Sequence, residues 1–427
     1  MKYLAPDYIY TPQGVERDML VTITDEGRIA TIEQQEDKVI QSISADTLTR
    51  LPSTLLLPGF VNAHSHVFQR ALRGHTHRPL AEHDSFWTWR RAMYAEAQKL
   101  TPASLYESAL RTYREMLVAG YTTVGEFHYV HHQPNGQPYD NPNAMAEAVL
   151  AAGHDAGIRV VLLMAAYAQS GFNQPPEEEQ RRFCDRSVDA YLQRVDDLRV
   201  KGVAIGVAPH SVRAVPEDWF RAIASYSRKH SIPLHVHADE QRAEIEQCQG
   251  VYSCTPIELL ERFGALGPHT TIIHATHANE TELTLLAKYG CTVCVCPTTE
   301  GDLGDGIAPY DTFMKKDILL AIGSDSNTRL DPIEELRWAE YTARMRYQRR
   351  RVLVCEQLAS PGPLLLDIGT HGGAVALGQE TGLLASGMLA DFIAIDLTHP
   401  SLYGWTKDDL LDTVFFGASS DVIKNVM

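Results

Sequence analysis

The sequence has no apolar run long enough to cross a bilayer. The longest, residues 160–168, is about half of the roughly 18 residues a spanning helix needs. A secretory signal pattern is also missing: residues 1–10 hold Lys2 and Asp7 but no unbroken apolar core or small-residue cleavage site, so a cytoplasmic chain is expected. Cysteine is sparse, seven scattered through 427 residues, and the odd count excludes a disulfide framework. Positive charge is short as well. With 38 Lys and Arg against 54 Asp and Glu, the net charge of −16 makes a surface that repels polyanions, which excludes nucleic acid as the main partner. A small anion could bind only where a few residues reverse that sign locally. What the chain does have is a 44% apolar fraction, too high for disorder, and length enough for one large domain with an appendage.

Two regions of short-strand texture lie at opposite ends. Residues 8–32 alternate apolar and β-branched positions, broken at Pro12-Gln13-Gly14 and Asp25-Glu26-Gly27. A similar run, 392–397, follows Gly387. These ends are expected to pair into a small composite β-sandwich domain, residues 1–57 and 376–427. Residues 422–427 stop in what reads as the start of another strand, so the C-terminus is expected to be incomplete.

Between them, in 58–375, apolar strand, polar turn and amphipathic helix recur. Eight strands are predicted at 60–66, 122–130, 159–168, 203–211, 234–239, 271–276, 292–297 and 318–324. Short apolar runs separated by helices indicate parallel strands buried on both faces. Three helix starts carry a capping residue followed by Pro: Thr101-Pro102, Thr255-Pro256 with Glu258 closing a capping box, and Asp331-Pro332 with Glu334 doing the same. Eight such repeats predict a (β/α)8 TIM barrel. The alternative, a doubly wound open sheet, lacks a G-x-G-x-x-G after its first strand.

A barrel of this kind places its chemistry at the C-terminal ends of its strands. Those ends carry His64-Ser65-His66, His235-Val236-His237 with Glu240, His274 with His277, and Ser324-Asp325. Residues two apart on a strand face the same side, so His64 and His66 can reach one ion. Imidazole and carboxylate donors suit zinc or another borderline divalent metal.

These residues carry a family resemblance. Pro58-Gly59-Phe60-Val61-Asn62-Ala63-His64-Ser65-His66 resembles the opening motif of the amidohydrolase superfamily, and the later His-x-His-x-x-Glu, His and Ser-Asp segments follow its deaminase branch. Phe68-Gln69-Arg70-Ala71-Leu72-Arg73-Gly74, Asp84-Ser85-Phe86-Trp87-Thr88-Trp89-Arg90, His274-Ala275-Thr276-His277 and Cys296-Pro297-Thr298-Thr299-Glu300 are similar to the formiminoglutamate deiminases of histidine degradation.

The resemblance covers nearly the whole chain and implies one divalent ion, zinc first among candidates, on His64, His66, His237 and Asp325. It implies catalytic roles for Glu240, His274 and Asp325. A metal-activated hydroxide would attack the formimino carbon of N-formimino-L-glutamate and release ammonia. Gln69, Arg90, Tyr129, His210 and Arg213 would bind the dicarboxylate substrate, and the resemblance also implies a homodimer. A second ion would call for a modified Lys on a middle strand, and Lys201 precedes the fourth strand. The rival within the superfamily is an aminohydrolase of a nucleobase or another amidine, on whose flat, largely uncharged substrate two arginines would be wasted. A scaffold on a dead hydrolase fold would have lost ligands, and all are present.

Other signals read as structural. Cys291, Cys294 and Cys296 coincide with strand seven and are expected to be buried packing residues, since no second pair stands at zinc-ribbon spacing. His128, His131 and His132 precede a Pro- and Gly-rich loop and are expected to be solvated or to support the site. Either His235 or His237 could face the metal; the resemblance favours His237, and His277 is left unassigned. Trp87 and Trp89 are placed in a long loop lidding the site, with Arg90 beside them. Residues 349–351 read as a solvated helix face.

Overall fold

Eight parallel strands follow one another along the chain: β1 (Phe60–Ser65), β2 (Tyr121–His128), β3 (Arg159–Ala166), β4 (Ile205–Pro209), β5 (Leu234–Ala238), β6 (Thr270–His274), β7 (Thr292–Val295) and β8 (Leu320–Ile322). Each overlaps its predicted segment. The computed structural model describes residues 1–78, 85–354 and 360–427, so Asp84 of the sequence motif lies outside the described residues. Every strand from β4 to β8 is buried along its whole length, as expected for a parallel sheet covered by helices outside and packed side chains inside.

The helices begin where their caps predict, with one change. In α1 (Phe86–Ala97) Ser85 and Thr88 form a capping box, and this converts the expected Trp87–Arg90 loop into helix. Thr101 caps α2 (Pro102–Val118), and Thr255 with Glu258 caps α3 (Pro256–Arg262). After β7 comes the short α4 (Pro297–Leu303). Asp331 caps α5 (Pro332–Tyr347), but Glu334 turns away to Arg329 at 2.8 Å instead of closing the box. Helix α5 ends at Tyr347, with Gln348 in the left-handed region at φ 49°, so residues 349–351 lie beyond the helix they were expected to decorate.

The termini meet in one separate seven-stranded sheet. Its central strand, Leu48–Pro58, runs parallel to Lys2–Thr11 and antiparallel to Phe392–Asp396, which in turn pairs with Ile423–Val426. That central strand passes directly into β1 through Gly59. A Cβ there would meet Thr122 at 2.3 Å, so only glycine permits the crossing.

The barrel closes between β1 and β8 through a single bridge, Ser65 with Asp325: His66 N donates to Asp325 O and Asp325 N to His64 O, both at 2.9 Å. A buried chain of side chains supports this seam. Asn62 Nδ2 donates to Ser324 Oγ at 2.6 Å, Ser324 Oγ to Asn327 Oδ1 at 2.5 Å, Asn327 Nδ2 to Ser65 Oγ at 3.1 Å, and Ser65 Oγ to Glu126 Oε2 at 2.9 Å.

Candidate active site

The seam places His64, His66 and Asp325 side by side at the barrel mouth, and β5 brings His237 across to them. Asp325 Oδ1 lies 3.2 Å from His64 Nε2 and 3.3 Å from His66 Nε2, and His64 Nε2 lies 3.2 Å from His237 Nε2. These spacings test the fit of a metal. A tetrahedral ion with bonds of about 2.0–2.1 Å separates its donors by about 3.3–3.4 Å, so the four side chains are set for one ion. Their outer nitrogens agree. His66 Nδ1 donates to Phe127 O at 2.9 Å and His237 Nδ1 to His210 O at 3.0 Å, which turns both Nε2 lone pairs inward. Burial lowers the pKa of all three imidazoles, His64 to about 3, and keeps them neutral. Burial alone would raise Asp325, but the hydrogen bond from His64 and the charge of His274 hold it below the usual carboxylate range.

His235 is directed elsewhere: its Nε2 donates to Ala376 O at 2.8 Å. Lys201 lies before β4 and pairs with Glu147 at 3.0 Å, while His210 follows that strand. His277 N bonds Asp239 O at 3.0 Å, and its ring takes no part in the cluster of four.

Glu240 and His274 stand beside the cluster. His274 Nε2 is 3.7 Å from Glu240 Oε1 and 3.8 Å from Asp325 Oδ2, and its Nδ1 is 3.3 Å from Glu300 Oε1. Burial works against the imidazolium, yet the surrounding carboxylates, Glu240 foremost, raise His274 well above its ordinary value. Glu240 is pushed up to about 7 by burial, opposed by His274 and reinforced by Asp325 and Glu244. A carboxyl near neutrality can both give and take a proton. The local backbone is strained: Asp239, His274, Ala275 and Asp325 hold φ between 46° and 72°.

Gln69, Arg90, Tyr129, His210 and Arg213 line one cavity with His66, His237, Glu240, His274 and Asp325. Gln69 Nε2 donates to Tyr129 OH at 2.9 Å, and Gln69 Oε1 is buried without a partner among the described residues. His210 stacks on His237 at 4.8 Å; burial first, and then the Arg213 charge, lower its pKa and keep it neutral. Arg90, carried by α1, lies 4.5 Å over the Trp87 ring and 5.5 Å over Tyr94, contacts that hold a guanidinium without neutralising it. Arg213 Nε is 3.8 Å from Glu244 Oε1, and Arg213 Cζ lies 5.8 Å from the same Trp87 ring. Arg90 Nη1, Arg213 Nε and Arg213 Nη1 are buried without hydrogen-bond partners among the described residues.

Several neighbours escaped the sequence reading. Tyr94 and Tyr167 line the cavity, 3.3 Å apart at their hydroxyls and both bonded by Gln180 Nε2. Glu244, four residues after Glu240, was legible only once a helix was known to start there. His128, His131 and His132 are buried and not solvated: His131 Nε2 donates to Ala165 O at 2.8 Å, and His132 Nε2 pairs with Asp185 at 3.3 Å.

Residues 55–427 match the amidohydrolase family model. The chain is 37% identical to formimidoylglutamate deiminase of Pseudomonas aeruginosa over 421 residues, 97% of this chain and 91% of that protein. It is 28% identical to a 5-methylthioadenosine/S-adenosylhomocysteine deaminase of Halothermothrix orenii over 424 residues, 97% and 90% of the two chains. Among solved structures, an amidohydrolase from Brucella melitensis superposes with a TM-score of 0.89 at 32% identity, covering 100% and 93%. A zinc-bound adenosine deaminase from Xanthomonas campestris superposes at 0.82 and 22% identity, covering 100% and 91%, a likeness of fold.

Proposed function

This chain belongs to the amidohydrolase family, a family of metal-dependent hydrolases acting on C–N bonds, and from that premise we propose that it hydrolyses N-formimino-L-glutamate to N-formyl-L-glutamate and ammonia. The observation that carries the reading is the pair of guanidinium groups in the cavity wall, half-buried Arg90 and buried Arg213, with N–H donors unspent among the described residues. A substrate with two carboxylates uses both, and an Arg fork matches a carboxylate bidentately. A purine or pyrimidine, without a carboxylate, would leave the free donors of Arg90 and Arg213 unspent in the cavity wall and Arg213 with only the 3.8 Å contact to Glu244.

His64, His66, His237 and Asp325 would hold the ion, which we take to be zinc. When bound, the ion supplies Lewis acidity that lowers the pKa of water from about 16 to about 7. Asp325 accepts the proton of the attacking water through the carboxylate oxygen that faces His274. Glu240 delivers a proton to the imine nitrogen as the formimino carbon becomes tetrahedral, then recovers the proton that Asp325 took and passes it to the departing amine. Asp325 takes the remaining hydroxyl proton as the carbonyl forms and returns it to Glu240. His274, cationic between its carboxylates, donates a hydrogen bond to the oxygen that gains charge. Arg90 and Arg213 fix the two carboxylates, and the neutral His210, Gln69 and Tyr129 orient the chain between them.

Ammonia release across N-formimino-L-glutamate, N-formimino-L-aspartate, guanine, cytosine and 5-methylthioadenosine tests the reading. Turnover is expected with the formimino acids, and ammonia from a nucleobase or nucleoside alone overturns it. Arg90→Met is expected to raise KM for formiminoglutamate about 30-fold or more, since truncating one partner of a buried charge pair costs about 2–5 kcal/mol. Arg213→Met should do the same and also lower the melting temperature, because it strands Glu244 without its counter-charge. Unchanged KM in both variants would remove these arginines from the substrate.

A further inference from the structure

The Asp325 carboxylate has two sides. Oδ1 faces His64 and His66, whereas Oδ2 faces His274 Nε2 at 3.8 Å, away from the set of four. On that second side stands another donor group: His274, Cys296 and Asp325 offer atoms that all lie within 4.8 Å of one another, and all three residues are buried. Glu300 arranges two of them. Its Oε1 accepts from His274 Nδ1 at 3.3 Å, so that a metal would bind at Nε2 by displacing the proton there, and from the Cys296 backbone N at 2.9 Å. Such a carboxylate–histidine contact is how proteins orient an imidazole toward a metal. A fourth donor, Glu240 Oε1, is 3.7 Å from His274 Nε2. Three carboxylates thus surround one imidazole, a concentration of negative charge that attracts a cation. Gly323 leaves room for the thiol, since a Cβ there would sit 3.1 Å from Cys296 Sγ.

We propose that His274 Nε2, Cys296 Sγ and Asp325 Oδ2, with Glu240 Oε1 in reach, form a second divalent-metal site that prefers thiophilic ions and inhibits the enzyme when filled. An ion with bonds of about 2.0–2.3 Å would draw these donors together by about 1 Å. The thiolate selects zinc in excess, cadmium or similar soft ions over magnesium or calcium. Filling the site removes Glu240 from proton transfer and His274 from its hydrogen bond to the oxygen that gains charge, and ties up the Asp325 oxygen that accepts the proton from water. Cys296 is therefore more than a packing residue of strand seven. Binding is independent of which substrate is turned over; only the inhibition rests on the roles proposed above.

The test is equilibrium dialysis of the full chain against cadmium alone, read by metal content and by ultraviolet thiolate-to-metal charge-transfer absorption. The wild type is expected to take two equivalents, the second bringing the absorption band. Turnover of the enzyme carrying one ion should fall at least tenfold as that band saturates. Cys296→Ser is expected to take one equivalent, show no band and resist inhibition by at least tenfold, with its turnover at one ion unchanged; Cys294→Ser should behave as wild type. One equivalent in the wild type, or a band and inhibition that persist in Cys296→Ser, overturns the site. If Cys296→Ser does not fold, the wild type alone decides: a band that saturates at a different cadmium concentration from the inhibition overturns it.

Discussion

Replacing Glu240 by Gln is expected to leave metal content at the wild-type level and to cut kcat by about 10²–10⁴-fold, the range for losing a positioned general acid–base group. The split follows from geometry. Glu240 is not among the four side chains whose donors cluster around the ion, so the amide leaves them in place. What disappears is a carboxyl held at about 7 by burial, able to protonate the leaving nitrogen near neutral pH. An amide of the same shape keeps the packing and can neither give nor take that proton. Metal analysis and steady-state kinetics on one preparation check both halves. Near-normal turnover would assign the proton transfer elsewhere, and loss of metal would make Glu240 a ligand.

Stripping the ion with a chelator is expected to abolish turnover, lower the melting temperature and have both restored by one equivalent of zinc. An ion present at a hundred to a thousand times its dissociation constant adds about 2.7–4.1 kcal/mol to the folded state. The loss should be local. Three of the four ligands lie on either side of the β1–β8 seam, which has a single backbone bridge of its own. Amide hydrogen exchange should therefore quicken at residues 62–66 and 320–326 before it quickens in β3 to β5. Uniform loss of protection, or none, would mean that the ion does not hold the seam.

The fold was legible because parallel strands buried on both faces write themselves as apolar runs, and because three helices announce themselves by cap and proline. The cluster of four was legible because ligands at strand ends are spaced by the strand's own period of two, as in His64 and His66. Helix α1 was not: aromatic and charged residues alternate there without a clear apolar stripe, and the capping pair Ser85–Thr88 is not the Ser/Thr-to-Glu pattern a reader looks for. Contacts made in space only, such as Trp87 between Arg90 and Arg213 or Tyr94 against Tyr167, leave no periodic trace. The burial of His131 and His132 depends on the backbone carbonyl of Arg182, which accepts from both their N–H groups and is some 50 residues distant.

The seam has a consequence for how the protein comes into being. Ser65 and Asn327, which meet across it, are 262 residues apart in the chain. During synthesis the first two ligands leave the ribosome long before the fourth exists, and a loop of that length must close before they share an ion. A nascent chain, or one cut short before Asp325, carries two or at most three of the four ligands and lacks the carboxylate that completes the set. Tight loading thus reports that synthesis has passed the eighth strand, and the ion is acquired late, as a seal on a nearly finished barrel.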